Sequence, residues 1–269
     1  MPVGAKAQKE VEIIMRYGCV GKNLSHSDSA RIHAYYGCPD YELIPCEEES
    51  FRKLMESRDF LGLNVTMPYK ETVFSYLDEW DADAAETGAV NTIVRRGEKL
   101  IGFNTDVCGF SRLLLRTGVD CRGKKVLIAG SGGTSKTVAY TVKKAGALAA
   151  VRLSRTGKEA CLTYEEGRTR YRDADILINT TPCGSYAEPN ALPLSLDDFP
   201  SLTHVIDVVY YPRVTPLLAA ARERSLSYAG GLYMLAAQAA RASELFTGIQ
   251  VPEEKIDEVF DLLEKDREN

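Results

Sequence analysis

A run of small residues, Gly130-Ser131-Gly132-Gly133-Thr134-Ser135, stands between a compact apolar stretch, Lys125 to Ala129, and a helically spaced one, Thr134 to Ala145. Glycines at such a junction let the backbone turn sharply and let a pyrophosphate approach the exposed N–H groups at the start of a helix. A plain strand-to-helix turn uses the same residues, and Lys136 occupies the place of the third glycine of the usual dinucleotide string. The residue that reads the ribose is expected about 20 positions on, after the following strand. There the chain has Leu153-Ser154-Arg155-Thr156, with no acid. An acid would hold the 2′-hydroxyl of NAD. A guanidinium suits a 2′-phosphate, which it binds through paired, charge-assisted hydrogen bonds. Arg155 therefore favours NADP over NAD, against the plainer reading of a surface arginine at a strand end.

Four further polar clusters fall at the ends of expected strands. His26-Ser27-Asp28-Ser29 offers two hydroxyls that could donate to a carboxylate, although Ser and Asp there also suit a helix N-cap. Asn64-Val65-Thr66-Met67-Pro68-Tyr69-Lys70 puts polar side chains into a strand end and a lysine just past it; taken alone, Lys70 reads as a solvated surface group. Gly88-Ala89-Val90-Asn91-Thr92 and Gly102-Phe103-Asn104-Thr105-Asp106 repeat an Asn-Thr pair, the second of them also a helix-cap signal.

The elements that would carry these groups follow from apolar runs. Strands are expected over Glu12 to Val20, Tyr41 to Pro45 and Phe60 to Thr66, with a helix over Glu47 to Glu56. Val90 to Arg95 and Lys99 to Phe103 flank Arg96-Gly97-Glu98 as a hairpin. Beyond that, Lys125 to Ala129, Ala149 to Leu153, Asp175 to Asn179 and His204 to Val209 are short buried strands between helices. That alternation predicts a parallel, doubly wound sheet. The fold class is α/β, in two domains: a Rossmann-type, NADP-binding unit over residues 105–231, and an α/β substrate-binding unit over 1–104 joined by 232–269. The Ala-rich stretch Leu232 to Phe246 and a tail helix, Glu253 to Lys265, fold back onto that first unit, and the two domains enclose a cleft.

Composition narrows the function. Of 269 residues, 33 are Lys or Arg and 38 Asp or Glu, a formal net charge of −5 that argues against a general nucleic-acid binder. The longest apolar run, Ala145 to Val151, is far too short to cross a bilayer, and Met1 to Glu10 has no apolar core of a secretory signal. Seven cysteines, odd in number and without a C-x-x-C pair, read as free thiols in a reducing cytoplasm. His26, His33 and His204 lack ligand spacing, so no metal is expected.

In order, the clusters read H-S-x-S, N-V-T-x-P-x-K, G-A-V-N-T, G-x-N-T-D-x-x-G-F, the glycine turn, S-R-T, D-V-V-Y and G-L-x-M-L-x-x-Q. From Gly21 to Phe246 this series resembles the shikimate dehydrogenase family. The resemblance implies NADPH-dependent, reversible reduction of 3-dehydroshikimate to shikimate on the route to aromatic amino acids. It implies Lys70 as the catalytic lysine and Asp106 as its partner. Ser27 and Ser29 match the pair holding the substrate carboxylate, Tyr210 a tyrosine assisting them, and Thr66, Asn91 and Gln238 the contacts to ring hydroxyls. Gly130, Ser131, Gly132, Gly133 and Thr134, with Ser154, Arg155 and Thr156, match the cofactor loops; Val208, Gly231 and Met234 match residues around the nicotinamide. The partner so implied is a small molecule, the chain a cytoplasmic monomer or homodimer.

Several positions depart from the family pattern: Ala30 for a proline, Ala34 and Tyr211 for asparagines, Ser154 for the asparagine of N-R-T, and Tyr233 for the second glycine of G-L-G-M. A ring at position 233 is expected to crowd the cofactor or close its pocket. Two other readings compete. One is a quinate/shikimate dehydrogenase using NAD or both cofactors, against which Arg155 counts. The other is a catalytically silent NADP(H) sensor, which would need neither Lys70 nor Asp106.

Overall fold

The computed structural model describes residues 15–22, 24, 27–157 and 160–265. Positions 12–14 of the expected first strand, His26 of the first motif and the stretch Met1 to Glu10 lie outside the described residues.

Among the described residues the strands form two six-stranded sheets. The first contains β1 (Met15–Gly21), β2 (Tyr41–Pro45), β3 (Phe60–Val65), β4 (Glu79–Trp80), β5 (Thr92–Arg96) and β6 (Lys99–Phe103), in the order β2-β1-β3-β5-β6-β4. Helices α1 (Ser29–Tyr35) and α2 (Glu48–Ser57) carry the chain between the parallel strands β1, β2 and β3. β5 and β6 run antiparallel because only two residues join them, and Gly97 there has φ +62°, a conformation that side chains rarely adopt. One face is filled by Phe51, Met55, Phe60, Leu63, Ile93 and Leu100. Asn64 stands opposite Thr92 in the antiparallel β3–β5 register, so two polar side chains become neighbours inside the sheet.

The second sheet contains β7 (Lys125–Ala129), β8 (Ala149–Ser154), β9 (Leu162–Thr163), β10 (Ile176–Asn179), β11 (His204–Asp207) and β12 (Ser227–Gly230), with order β12-β11-β10-β7-β8-β9 and parallel pairings. It is a Rossmann-type, doubly wound sheet, and the strand order reverses between β7 and β10. Crevices outside the carboxyl ends at such a reversal are where α/β sheets take ligands. Val126 and Ile128 pack to one side, Leu127 to the other against Phe199 and Leu217, which is why the β7 run is apolar throughout. The expected strand at His204 to Val209 stops at Asp207, whose carboxylate accepts the Val209 N–H at 3.1 Å and turns the chain.

Two long helices, α4 (Thr105–Thr117) and α8 (Leu232–Thr247), connect the sheets. They approach so closely that a Cβ on Gly109 would lie 2.7 Å from the Met234 carbonyl. α8 also meets the first sheet: a Cβ on Gly62 would collide with the Phe246 ring, and Tyr17 stacks on that ring at 5.0 Å. On the other side of the bridge, α4 shares one buried cluster with Val138 and Val142 of α5 (Gly133–Lys144). α3 (Ala82–Thr87) precedes β5, α6 (Tyr164–Arg170) follows β9, and α9 (Glu253–Lys265) closes over α8.

Candidate active site

Lys70 and Asp106 meet. After β3 the chain is held by a bond from Thr66 N–H to the Val20 carbonyl, 2.9 Å, and turns through Met67 and Pro68. Tyr69 fixes that turn, its ring stacked on Phe51 at 4.1 Å and its hydroxyl donating to the Cys46 carbonyl. The Lys70 carbonyl accepts the Val90 N–H at 2.8 Å, so the lysine leaves a backbone pinned on both sides. Asp106 lies in the first turn of α4, where the helix dipole favours a carboxylate. Lys70 Nζ donates to Asp106 Oδ2 at 2.6 Å, with the two side chains 17% and 9% exposed.

A buried chain of hydrogen bonds holds the aspartate from behind. Asn91 Nδ2 donates to Asp106 Oδ1 at 2.9 Å and to Thr105 Oγ1 at 3.0 Å, while Asn91 Oδ1 accepts the Thr105 N–H at 2.7 Å. Thr92 Oγ1 donates to Asn91 Oδ1 and accepts from Asn64 Nδ2, and Tyr41 OH donates to Asn64 Oδ1 at 2.6 Å. Tyr41 stacks on His33, whose Nδ1 lies 2.8 Å from Ser243 Oγ; burial holds the His33 imidazole down to about 3. Gln238 of α8 reaches the same group, its Oε1 3.4 Å from Asn91 Nδ2 and from Thr105 Oγ1. Asn64, Thr92 and Thr105 stand in the polar clusters named from sequence but carry no role there, and Tyr41 appears only as the start of a strand. Their signals were an asparagine inside the apolar strand Phe60–Val65 and the repeated Asn-Thr pair.

The other expected residues fall into two groups. Ser27 Oγ donates to Ser29 Oγ at 2.9 Å and accepts the Ser29 N–H at 3.2 Å, whereas Asp28, the N-cap of α1, makes no side-chain cap bond. None of the hydrogen bonds found among the described residues links this pair to the lysine. Thr66 packs against Gly21, where a Cβ would collide with it. Tyr210 is half-buried against the cluster containing Tyr36, Leu232 and Met234.

The remaining group lines the crevice of the second sheet. Gly130 has φ +128°, and a Cβ there would collide with Thr180 Oγ1 at the end of β10. α5 begins after Gly132 with no side chain capping it, so N–H groups of its first turn have no side-chain acceptor there. A Cβ on Gly132 would meet nothing within 4 Å: open space faces the turn. Those features fit a dinucleotide pyrophosphate. Ser154 is buried and its Oγ accepts the Gly157 N–H at 3.0 Å, while Arg155 and Thr156 are exposed. Val208 and Gly231 touch so closely that a Cβ on Gly231 would overlap the Val208 carbonyl; Met234 is buried beside them in α8. Asp207, fully buried below, takes Asn179 Nδ2 at 2.9 Å and Thr215 Oγ1 at 2.6 Å, and burial pushes its carboxyl up to about 6. The glycine turn lies close to the lysine: a Cβ on Gly133 would fall 3.3 Å from Ala89 Cβ and 3.6 Å from Lys70 Cβ. Lys136 Nζ, one turn on, pairs with Glu71 at 2.6 Å.

Residues 19–93 match the shikimate dehydrogenase substrate binding domain, and residues 231–259 the shikimate 5'-dehydrogenase C-terminal domain. A shikimate dehydrogenase (NADP(+)) of Clostridium beijerinckii is 33% identical over 268 residues, covering 93% of this chain and 98% of that protein. The chain belongs to the shikimate dehydrogenase family. A Thermus thermophilus shikimate 5-dehydrogenase, solved with NADP(H) and shikimate, superposes with a TM-score of 0.81 at 30% identity, covering 92% of this chain and 98% of that one. A quinate dehydrogenase of Corynebacterium glutamicum, solved with NAD, gives 0.78 at 28% identity over 91% of this chain and 98% of that one.

The departure from the shikimate dehydrogenase pattern that most threatened the cofactor pocket turns away from it. Tyr233 is 3% exposed, its hydroxyl donates to Glu253 Oε1 at 2.8 Å, and its ring lies edge-on to Phe260 beneath the Arg116 guanidinium. The expectation that it crowds the cofactor is corrected: position 233 faces α4 and α9. Tyr211, by contrast, is exposed, its ring 6.1 Å from that of Tyr186. All seven cysteines are free thiols, and no described helix is long and apolar enough to cross a membrane.

Proposed function

We propose that this chain is an NADP-dependent shikimate dehydrogenase that interconverts 3-dehydroshikimate and shikimate. The observation carrying that reading is the Lys70–Asp106 pair at 2.6 Å with the glycine turn so near that a Cβ on Gly133 would touch the lysine side chain. Bound NADPH supplies the hydride, and the chain supplies alignment and a proton. As negative charge grows on the substrate oxygen, Lys70 Nζ donates a proton to it, and Asp106 holds the ammonium and a substrate hydroxyl in place. Asn91, wired to Asp106, presents its amide to the ring hydroxyls together with Thr66 and Gln238. Ser27 and Ser29, assisted by Tyr210, hold the substrate carboxylate.

In this reading residues 1–104 and 232–269 bind substrate and 105–231 bind NADP. Gly130, Ser131, Gly132, Gly133 and Thr134 cradle the pyrophosphate. Ser154, Arg155 and Thr156 receive the 2′-phosphate end, and Val208, Gly231 and Met234 flank the nicotinamide. The protein works in the cytoplasm as a monomer or homodimer. Initial rates at the nicotinamide absorbance band, with shikimate or quinate and with NADP or NAD, test the proposal. The shikimate–NADP combination is expected to be fastest. A faster quinate–NAD rate would replace the substrate and cofactor assignment, and NADPH binding without any turnover would make the chain a sensor.

A further inference from the structure

β8 carries a second arginine that the family motif does not include. Arg152 pairs with Ile128 of β7 in the parallel register and is half-buried, while Arg155, beyond the strand end, is exposed. Its side chain runs to the glycine turn, where Nη1 donates to the Ser131 carbonyl at 3.2 Å. This bond fixes a guanidinium at the junction of the two segments that flank the adenosine ribose in a Rossmann-type site. The residue reading the ribose is expected about 20 positions beyond the glycine motif, and Arg152, near the end of the strand, and Arg155, just past it, both stand at that spacing. The strand, Ala-Ala-Val-Arg-Leu-Ser, offers no acid to hold a 2′-hydroxyl.

We propose that Arg152 is a second ligand of the cofactor's 2′-phosphate and a determinant of NADP over NAD. It grips the phosphate from the side of the glycine turn, and Arg155 grips it from the solvent side. This rests on the proposed use of NADP. A guanidinium already braced by a backbone carbonyl loses less side-chain freedom on binding than an exposed one, so Arg152 contributes more than Arg155. The brace also couples the two events: a phosphate bound to Arg152 steadies the carbonyl of the turn that receives the pyrophosphate.

Calorimetric titration of the full chain with 2′,5′-ADP and with 5′-AMP isolates the 2′-phosphate, and NADP and NAD titrations report the whole cofactor. Arg152→Met is expected to weaken 2′,5′-ADP and NADP by about 10- to 100-fold, the loss of a charge-assisted contact, with 5′-AMP and NAD unchanged within about two-fold. Arg155→Met should lose less. Equal weakening of NADP and NAD would reduce Arg152 to a strut for the turn, and unchanged 2′,5′-ADP binding would remove it from the site; either result overturns the proposal. Should Arg152→Met not fold, Arg152→Lys decides, since a lysine keeps the charge and loses the fork: it must weaken 2′,5′-ADP by at least about three-fold and leave 5′-AMP alone. Wild-type protein that binds NAD as tightly as NADP would instead defeat the cofactor reading itself, before any variant is compared.

Discussion

Beneath Lys70, Asn64, Asn91, Thr92, Thr105 and Asp106 are buried in one hydrogen-bonded network centred on Asn91, so the lysine–aspartate pair rests on side chains that cannot move independently. At the carboxyl ends of the second sheet the groups proposed for the cofactor are backbone atoms of a glycine turn, the half-buried Arg152 and the exposed side chains Arg155 and Thr156. Buried polar groups there, Asn179, Asp207 and Thr215, bind one another and the Val209 backbone. A network of neutral and charged side chains in low dielectric is rigid when every member is satisfied, and each deletion strands a partner. A backbone cradle tolerates side-chain exchange at its rim and orders those side chains only when ligand arrives. The first site is thus specified before binding, and the second in part by it.

The largest effect that would sharpen this contrast is on turnover. Lys70→Ala is expected to lower kcat by about 10³-fold, the upper-middle range for a general acid, with NADP affinity and far-ultraviolet circular dichroism close to wild type. Near-normal kcat would detach the lysine from the chemistry. Next comes stability. Asn91→Ala leaves the Thr105 N–H and one Asp106 oxygen without their partner in a buried site, and chemical denaturation should show a loss of about 2–4 kcal/mol. Thr156→Ala on the cofactor rim should stay within about 0.5 kcal/mol. Comparable losses at both positions would erase the distinction between the sites.

The smallest effect is a pH dependence with two opposing parts. His33 has its imidazole lowered from 6.5 to about 3, so below about pH 6.5 the unfolded chain takes up a proton that the folded one refuses, and stability falls as pH falls. Asp207 is raised from 3.8 to about 6, so between about pH 4 and 6 the folded chain holds the extra proton, and stability falls as pH rises. The two slopes, each about 1.4 kcal/mol per pH unit at most, offset one another in that window. Asp207→Asn removes the second. Its stability relative to wild type should therefore climb from pH 4 to 6 and level above, as read by urea denaturation at each pH; a constant difference would mean that Asp207 does not titrate there.

Much of the fold was legible because local chemistry and tertiary demand agreed. Lys125–Ala129, Glu253–Lys265 and the Gly97 hairpin lie where apolar periodicity and turn residues put them. The strand at Val90 to Arg95 begins later, at Thr92, although the Asn91 backbone still bonds Val65 and Phe103 on either side. Helix α7 (Pro216–Glu223) went unread although Thr215 as N-cap and Pro216 at its first position announce it. The meeting of Lys70 and Asp106 was not legible from spacing, since nothing local ties a turn after β3 to the start of α4; only the resemblance joined them. Tyr233 was misplaced for a helical reason. One residue along α8 is about 100° of rotation, enough to carry a ring from the cleft to the α9 side beside its buried neighbour Met234.

Gly133 leaves a last consequence. With only hydrogen on the Gly133 α-carbon, the start of α5 comes close to Ala89 and the stem of Lys70. A methyl group at that point would act as a shim, forcing the neighbour 3.3 Å away to yield by a few tenths of an ångström. Under the proposed function, redesign of cofactor choice is therefore tied to the placement of Lys70: a grafted loop must keep this one position bare.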